Sequence, residues 1–61
     1  MIKLTRLNGL EVIVNEDNIQ WIEELADTTV TFVNGVRLIV KESAEEILQK
    51  MNQEATPQAS N

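Results

Sequence analysis

Two ten-residue stretches of this chain repeat one another without a gap. Thr5 to Val14 reads TRLNGLEVIV, and Thr31 to Val40 reads TFVNGVRLIV. Thr, Asn, Gly, Ile and Val coincide, and most other positions exchange one apolar residue for another. Each copy sets Asn-Gly between two apolar runs, the strongest short-range signal for a β-hairpin. The chain is therefore expected to contain two related hairpins, which restricts it to a small antiparallel architecture.

Alternation fixes the register of each hairpin. A two-residue Asn8-Gly9 loop would mix polar and apolar side chains on both faces. A three-residue loop, Leu7-Asn8-Gly9 with Gly9 in the left-handed region, pairs Arg6 with Leu10, Leu4 with Val12 and Ile2 with Val14. The inward face becomes Ile2, Leu4, Leu10, Val12 and Val14, and Arg6 falls at its rim. A one-residue slip would turn a whole strand inside out, so the segregated pattern is favoured. The second copy gives the same answer with loop Val33-Asn34-Gly35. Its inward set is Val30, Phe32, Val36, Leu38 and Val40, and its outward set is Thr29, Thr31, Arg37, Ile39 and Lys41.

Between the hairpins, Asn15 to Asn18 has turn chemistry. Ile19 to Leu25 (IQWIEEL) has an ambiguous period: Ile19, Ile22 and Leu25 are spaced like a helix face, while Trp21 and Ile22 are adjacent. A turn around Ile19 and a strand from Gln20 to Glu24 are expected, with a short helix as the alternative. Ala26-Asp27 then turns into the second hairpin. Ser43-Ala44-Glu45-Glu46 fits a capping box. Ala44, Ile47, Leu48 and Met51 form one apolar stripe, and Glu42, Glu45 and Glu46 sit where the helix dipole favours negative charge. A helix from Ala44 to Asn52 follows, and from Gln53 to Asn61 the polar sequence reads as a disordered tail.

The predicted fold class is α+β: a small curled antiparallel sheet of about five short strands with one C-terminal helix on its apolar face. Residues 1–52 form the single domain and 53–61 the tail. The expected core is Ile2, Leu4, Leu10, Val12, Val14, Ile22, Val30, Phe32, Leu38, Val40, Ile47, Leu48 and Met51. At 61 residues, such a core rarely supplies more than about 3–5 kcal/mol of net stability. Without Cys or His, disulfides, thiolate metal sites and imidazole ligands are excluded, which leaves association with another chain as a further stabiliser.

Ten acidic and five basic residues give a net charge of −5. That argues against broad binding to nucleic acid or anionic lipid. No apolar run approaches the ~20 residues of a membrane span, so no membrane insertion is expected, and the absence of Cys and of an export signal points to the cytoplasm. Catalytic, cofactor and metal residues are expected to be none. Ser43 has no His partner and is explained as a helix cap. Glu23 and Glu24 would point to opposite faces of a strand and read as solvated charge. Lys3, Arg37 and Lys41 could share an outward face. Ile13 and Ile39 occupy equivalent places in the two copies on faces that should be polar, and with Trp21 they could form an apolar patch, a commoner mark of association surfaces than of enzyme pockets. Ile13, Trp21, Ile39, Arg37 and Lys41 are therefore the candidate interaction surface. The bland reading packs these aliphatic residues against one another across a curled sheet.

The opening MIKLTRLNG, the middle IxxIEExxDT from Ile19 to Thr28, and the NGxxxxVKES ending from Asn34 to Ser43 occur in order over residues 1 to 51. In these motifs the chain resembles the small flagellar FlbD/SwrD family. That resemblance implies a non-catalytic cytoplasmic bacterial protein that supports flagellar motility, in motor function or swarming, at the cytoplasmic side of the motor. The partners it implies are proteins, namely flagellar motor or stator components, with a homo-oligomer as a further option. Two departures stand out: Val36-Arg37 is less basic than the Lys-rich stretch that often follows the second Asn-Gly of the family, and the sequence beyond Met51 carries no family pattern. A weaker likeness lays residues 19 to 51 over a LytTR-type domain, which would imply a nucleic-acid-binding or regulatory module. The acidic balance makes nucleic acid an unlikely partner.

Overall fold

A computed structural model describes residues 1–54. Five antiparallel strands and one helix follow in the order β1 (Ile2–Thr5), β2 (Glu11–Val14), β3 (Ile19–Glu24), β4 (Thr28–Phe32), β5 (Arg37–Val40) and α1 (Ala44–Glu54). A 3-10 turn over Glu16–Asn18 joins β2 to β3, and the Asn15 side chain caps it by accepting from the Asp17 amide at 3.0 Å.

Both hairpins close as the alternation requires. Arg6 N–H donates to the Leu10 carbonyl at 2.8 Å and Gly9 N–H to the Arg6 carbonyl at 2.9 Å; Phe32–Val36 and Gly35–Phe32 repeat this at 2.8 Å each. Asn8 and Asn34 use the same side-chain oxygen in the same way, accepting from Leu10 and Val36 amides at 3.0 and 3.1 Å. Gly9 and Gly35 both have φ of +90°. A side chain there would meet no neighbour within 4 Å, so the cost of substitution is backbone strain alone. Gly9→Ala and Gly35→Ala should each lose about 1–2 kcal/mol and by nearly equal amounts, as measured by urea denaturation.

The strands form two sheets, β1–β2 and β3–β4–β5, where the sequence suggested one. They meet at a corner, through the Arg6–Val40 bridge and a bond from Lys41 N–H to the Thr5 carbonyl at 2.8 Å. The split has a steric logic. Folding the ribbon at one bridge turns both apolar faces inward, so that a single short helix can cover them.

β3 is a strand from Ile19 itself, which removes both the turn at that residue and the helical alternative. The irregular period has a physical cause. Ile19 pairs with Phe32 and Trp21 with Thr31, leaving Gln20 as a bulge. The extra residue puts Ile19 and Ile22 on the same core-facing side, three apart as on a helix. The bulge also blunts this sheet edge against strand addition.

The core proper is Ile2, Leu4, Val30, Val40 and Ile47, with Val12, Val14, Ile19, Ile22, Phe32, Leu38 and Met51 packed around it. Leu10 and Leu48, expected inside, are 64% and 53% exposed. Leu10 lies before the start of β2 at the hairpin tip, where no described residue covers it. Leu48 lies on the helix flank, because α1 turns Ile47 rather than the middle of its stripe to the sheets. Val36 is likewise exposed, whereas Thr31 lies on the outer face as expected but is buried there. The capping box forms, with Glu46 N–H donating to Ser43 Oγ at 3.1 Å and Ser43 N–H to the Glu46 carboxylate at 2.7 Å. α1 runs on to Glu54, so Gln53 and Glu54 are helical rather than part of a tail; the rest of the expected tail lies outside the described residues.

Candidate functional site

α1 packs against β1 and β3 and covers the core from one end. At the other end, toward the two Asn-Gly tips, the inward faces stay open. A cleft of about 230 Å³ lies there, lined by Arg6, Val12, Val14, Phe32, Val36 and Leu38 together with Asn34. The internal repeat builds it: Arg6 and Phe32 are equivalent positions, as are Val12 and Leu38. Leu7, Leu10, Val33 and Val36, all exposed, extend the apolar character over the tips. The volume falls below the roughly 300–1,000 Å³ of small-molecule sites, so the cleft suits side chains from another protein better than a cofactor. Arg6 is the one charged group on its rim and has no ion-pair partner among the described residues.

The outward faces carry the residues singled out in the sequence. Trp21, Arg37 and Ile39 share the outer face of the three-stranded sheet. The registers put Trp21, Thr31 and Arg37 in one cross-strand row and Glu23, Thr29 and Ile39 in the next. Ile13 belongs to the other sheet, opposite Lys3, and lines an open depression of about 350 Å³ with Met1, Lys3 and Lys50. Lys41 lies past the end of β5, in a hollow with Leu7, Glu24, Asp27 and Glu46. Thus the three basic residues considered as one patch are spread over three places, and Lys3 faces Glu11 at 3.8 Å.

Two carboxylates take structural roles that sequence reasoning missed. Glu24, read as solvated, accepts from the Ala44 amide at 2.9 Å and caps the start of α1. Glu42, read as a helix-dipole residue, turns back to β1. It accepts from Thr5 N–H at 2.9 Å and from Thr5 Oγ1 at 2.8 Å. Burial pushes its carboxyl up, and the two Thr5 hydrogen bonds outweigh that and hold it below the ordinary range. No local pattern marks either contact, because the partners are 20 and 37 residues away.

Among the described residues, no His, Cys, Asp or Glu group could hold a metal ion, and no helix is long and apolar enough to cross a membrane. In a comparison with known families, a model described as flagellar and swarming motility proteins, FlbD, matches residues 1–56. The match runs past Met51, where the sequence motifs stop. No curated protein and no solved structure gives a significant match.

Proposed function

The chain belongs to the FlbD family of flagellar and swarming motility proteins, and from that premise we propose that it supports motility as a non-catalytic binding module for another protein. The cleft between the hairpin tips carries this reading. It is apolar, open, and built from the inward residues of both repeats. A partner that inserts one or two aliphatic side chains there would gain the burial that α1 provides at the other end of the core. Arg6 at the rim would favour an acidic residue beside them. A component of the motor or stator on the cytoplasmic side is the partner we favour; a cysteine-free chain is in keeping with that reducing compartment.

Val36 is the residue to change. It lines the cleft and is 54% exposed, so a charge there disturbs docking without entering the core. In cells whose own copy is replaced, Val36→Asp should abolish swarm-plate expansion while the protein accumulates normally and keeps its circular dichroism spectrum. The loss should reach at least tenfold in partner affinity, as for a central apolar contact. Leu48→Asp, on the exposed flank of α1, is the control that keeps expansion. Normal swarming of the Val36→Asp strain would overturn the reading.

A further inference from the structure

The outer face of β3–β4–β5 is separate from the cleft and has its own unsatisfied chemistry. Its two rows are about 7 Å apart, two residues along a strand, and its columns about 4.8 Å apart. Four side chains mark the corners: Trp21 and Glu23 on β3, Arg37 and Ile39 on β5. Trp21 and Ile39, each a little under half exposed, lie on one diagonal. Arg37 and Glu23, of opposite charge, lie on the other. Neither charged side chain has an ion-pair or hydrogen-bond partner among the described residues. Between Trp21 and Arg37, Thr31 is only 5% exposed, and its hydroxyl has no partner.

We infer that this face is a self-association surface on which a second copy of the chain docks through a two-fold axis running along the Trp21–Ile39 diagonal. Rotation about that line lays Trp21 on the second copy's Trp21 and Ile39 on its Ile39. It brings each of the other two corners to within about 4 Å of the other's place on these spacings, a gap the long side chains span, so that each Arg37 meets a Glu23. Both ion pairs arise from one operation, which is the signature of an isologous contact. The alternative of edge-to-edge pairing is disfavoured on β3 by its bulge. Sheets stacked this way cross steeply, near the orthogonal class of sheet packing. The face is small beside the ~800 Å² per partner of a standard interface, so the dimer belongs to the weak, concentration-dependent class.

Charge exchange tests the geometry. In sedimentation equilibrium, the full chain should rise from 6.9 kDa toward twice that mass as concentration increases, with a blue shift in the emission of its single tryptophan. Arg37→Glu alone and Glu23→Arg alone should each remain monomeric, since each sets like charges against one another. An equimolar mixture of the two variants should associate at least as well as the unaltered chain, because every cross pair is then attractive. The double variant Arg37→Glu/Glu23→Arg should dimerise as well. Both positions are exposed, and circular dichroism checks that each variant is folded. An unaltered chain that stays monomeric throughout, single variants that dimerise normally, or a mixture that fails to associate would each overturn the proposal. None of these outcomes bears on the cleft, which the swarming of Val36→Asp tests separately.

Discussion

Ile47→Ala is expected to leave the domain close to half unfolded in water, while Leu48→Ala, one residue further on, changes stability by less than about 0.5 kcal/mol. Ile47 is fully buried and shares the centre of the core with Leu4, Val30 and Val40. Truncating such a side chain costs about 2–5 kcal/mol, combining lost transfer energy with the cavity left behind. The better helix propensity of alanine returns only a few tenths of that. Against the roughly 3–5 kcal/mol that a core of this size supplies, the deficit is most of the total. No neighbour among the described residues can compensate, because α1 is the only described layer over the two sheets and Ile47 is the only described residue of α1 that is fully buried. Leu48 projects from the flank and already meets water, so its loss removes little. Urea titrations followed by circular dichroism measure both. Equal midpoints for the two variants would mean that α1 is rotated about its axis from the orientation described above.

The contrast between these neighbours also marks where sequence reasoning stops. The helix stripe reads Ala44, Ile47, Leu48, Met51, and hydrophobic spacing gives its width but not which line of it faces the sheets. Short strands behave differently. In the two hairpins the period is two, the loop is fixed by Asn-Gly, and each pairing from Ile2–Val14 to Thr28–Val40 follows from keeping apolar residues on one face. β3 resisted because a single bulge at Gln20 converts a strand's period into one that mimics a helix. Leu10 and Val36 lie on the correct face but past the last cover, and no local rule says how far a roof extends. Of the candidate surface, alternation along β5 puts Arg37 and Ile39 on one face, and cross-strand pairing adds Trp21. The position of Ile13 on a separate sheet depends on the corner at Arg6 and Val40, a contact between residues far apart in the chain. The cleft was hidden for the same reason: its two walls are the two repeats, and only their mutual angle makes it a cleft.

That corner should fail first in acid. Thr5 ends β1, and three bonds tie it to the chain just after β5: two to the Glu42 carboxylate and one from the Lys41 amide to its carbonyl. Glu42→Ala removes two of them and leaves a partly buried N–H and hydroxyl without acceptors, a loss of about 2–3 kcal/mol when the missing acceptor is charged. The same contact sets a pH dependence. The Glu42 carboxyl is held below its ordinary value near 4.5, burial raising it and the Thr5 donors lowering it by more. The unfolded chain thus binds its proton more readily than the folded one. The contribution is therefore complete above the unfolded pKa and is lost as pH falls through the lower, folded value. In the unaltered protein, the urea midpoint should decline across that acid range, and in Glu42→Ala the decline should be shallower from a lower plateau. Amide exchange localises the effect: the Thr5 and Lys41 protons should lose protection in Glu42→Ala, while those of Val30 at the centre of β4 fall only with global stability. An acid limb of the same steepness in both proteins would assign the corner's strength to its backbone bonds rather than to the carboxylate.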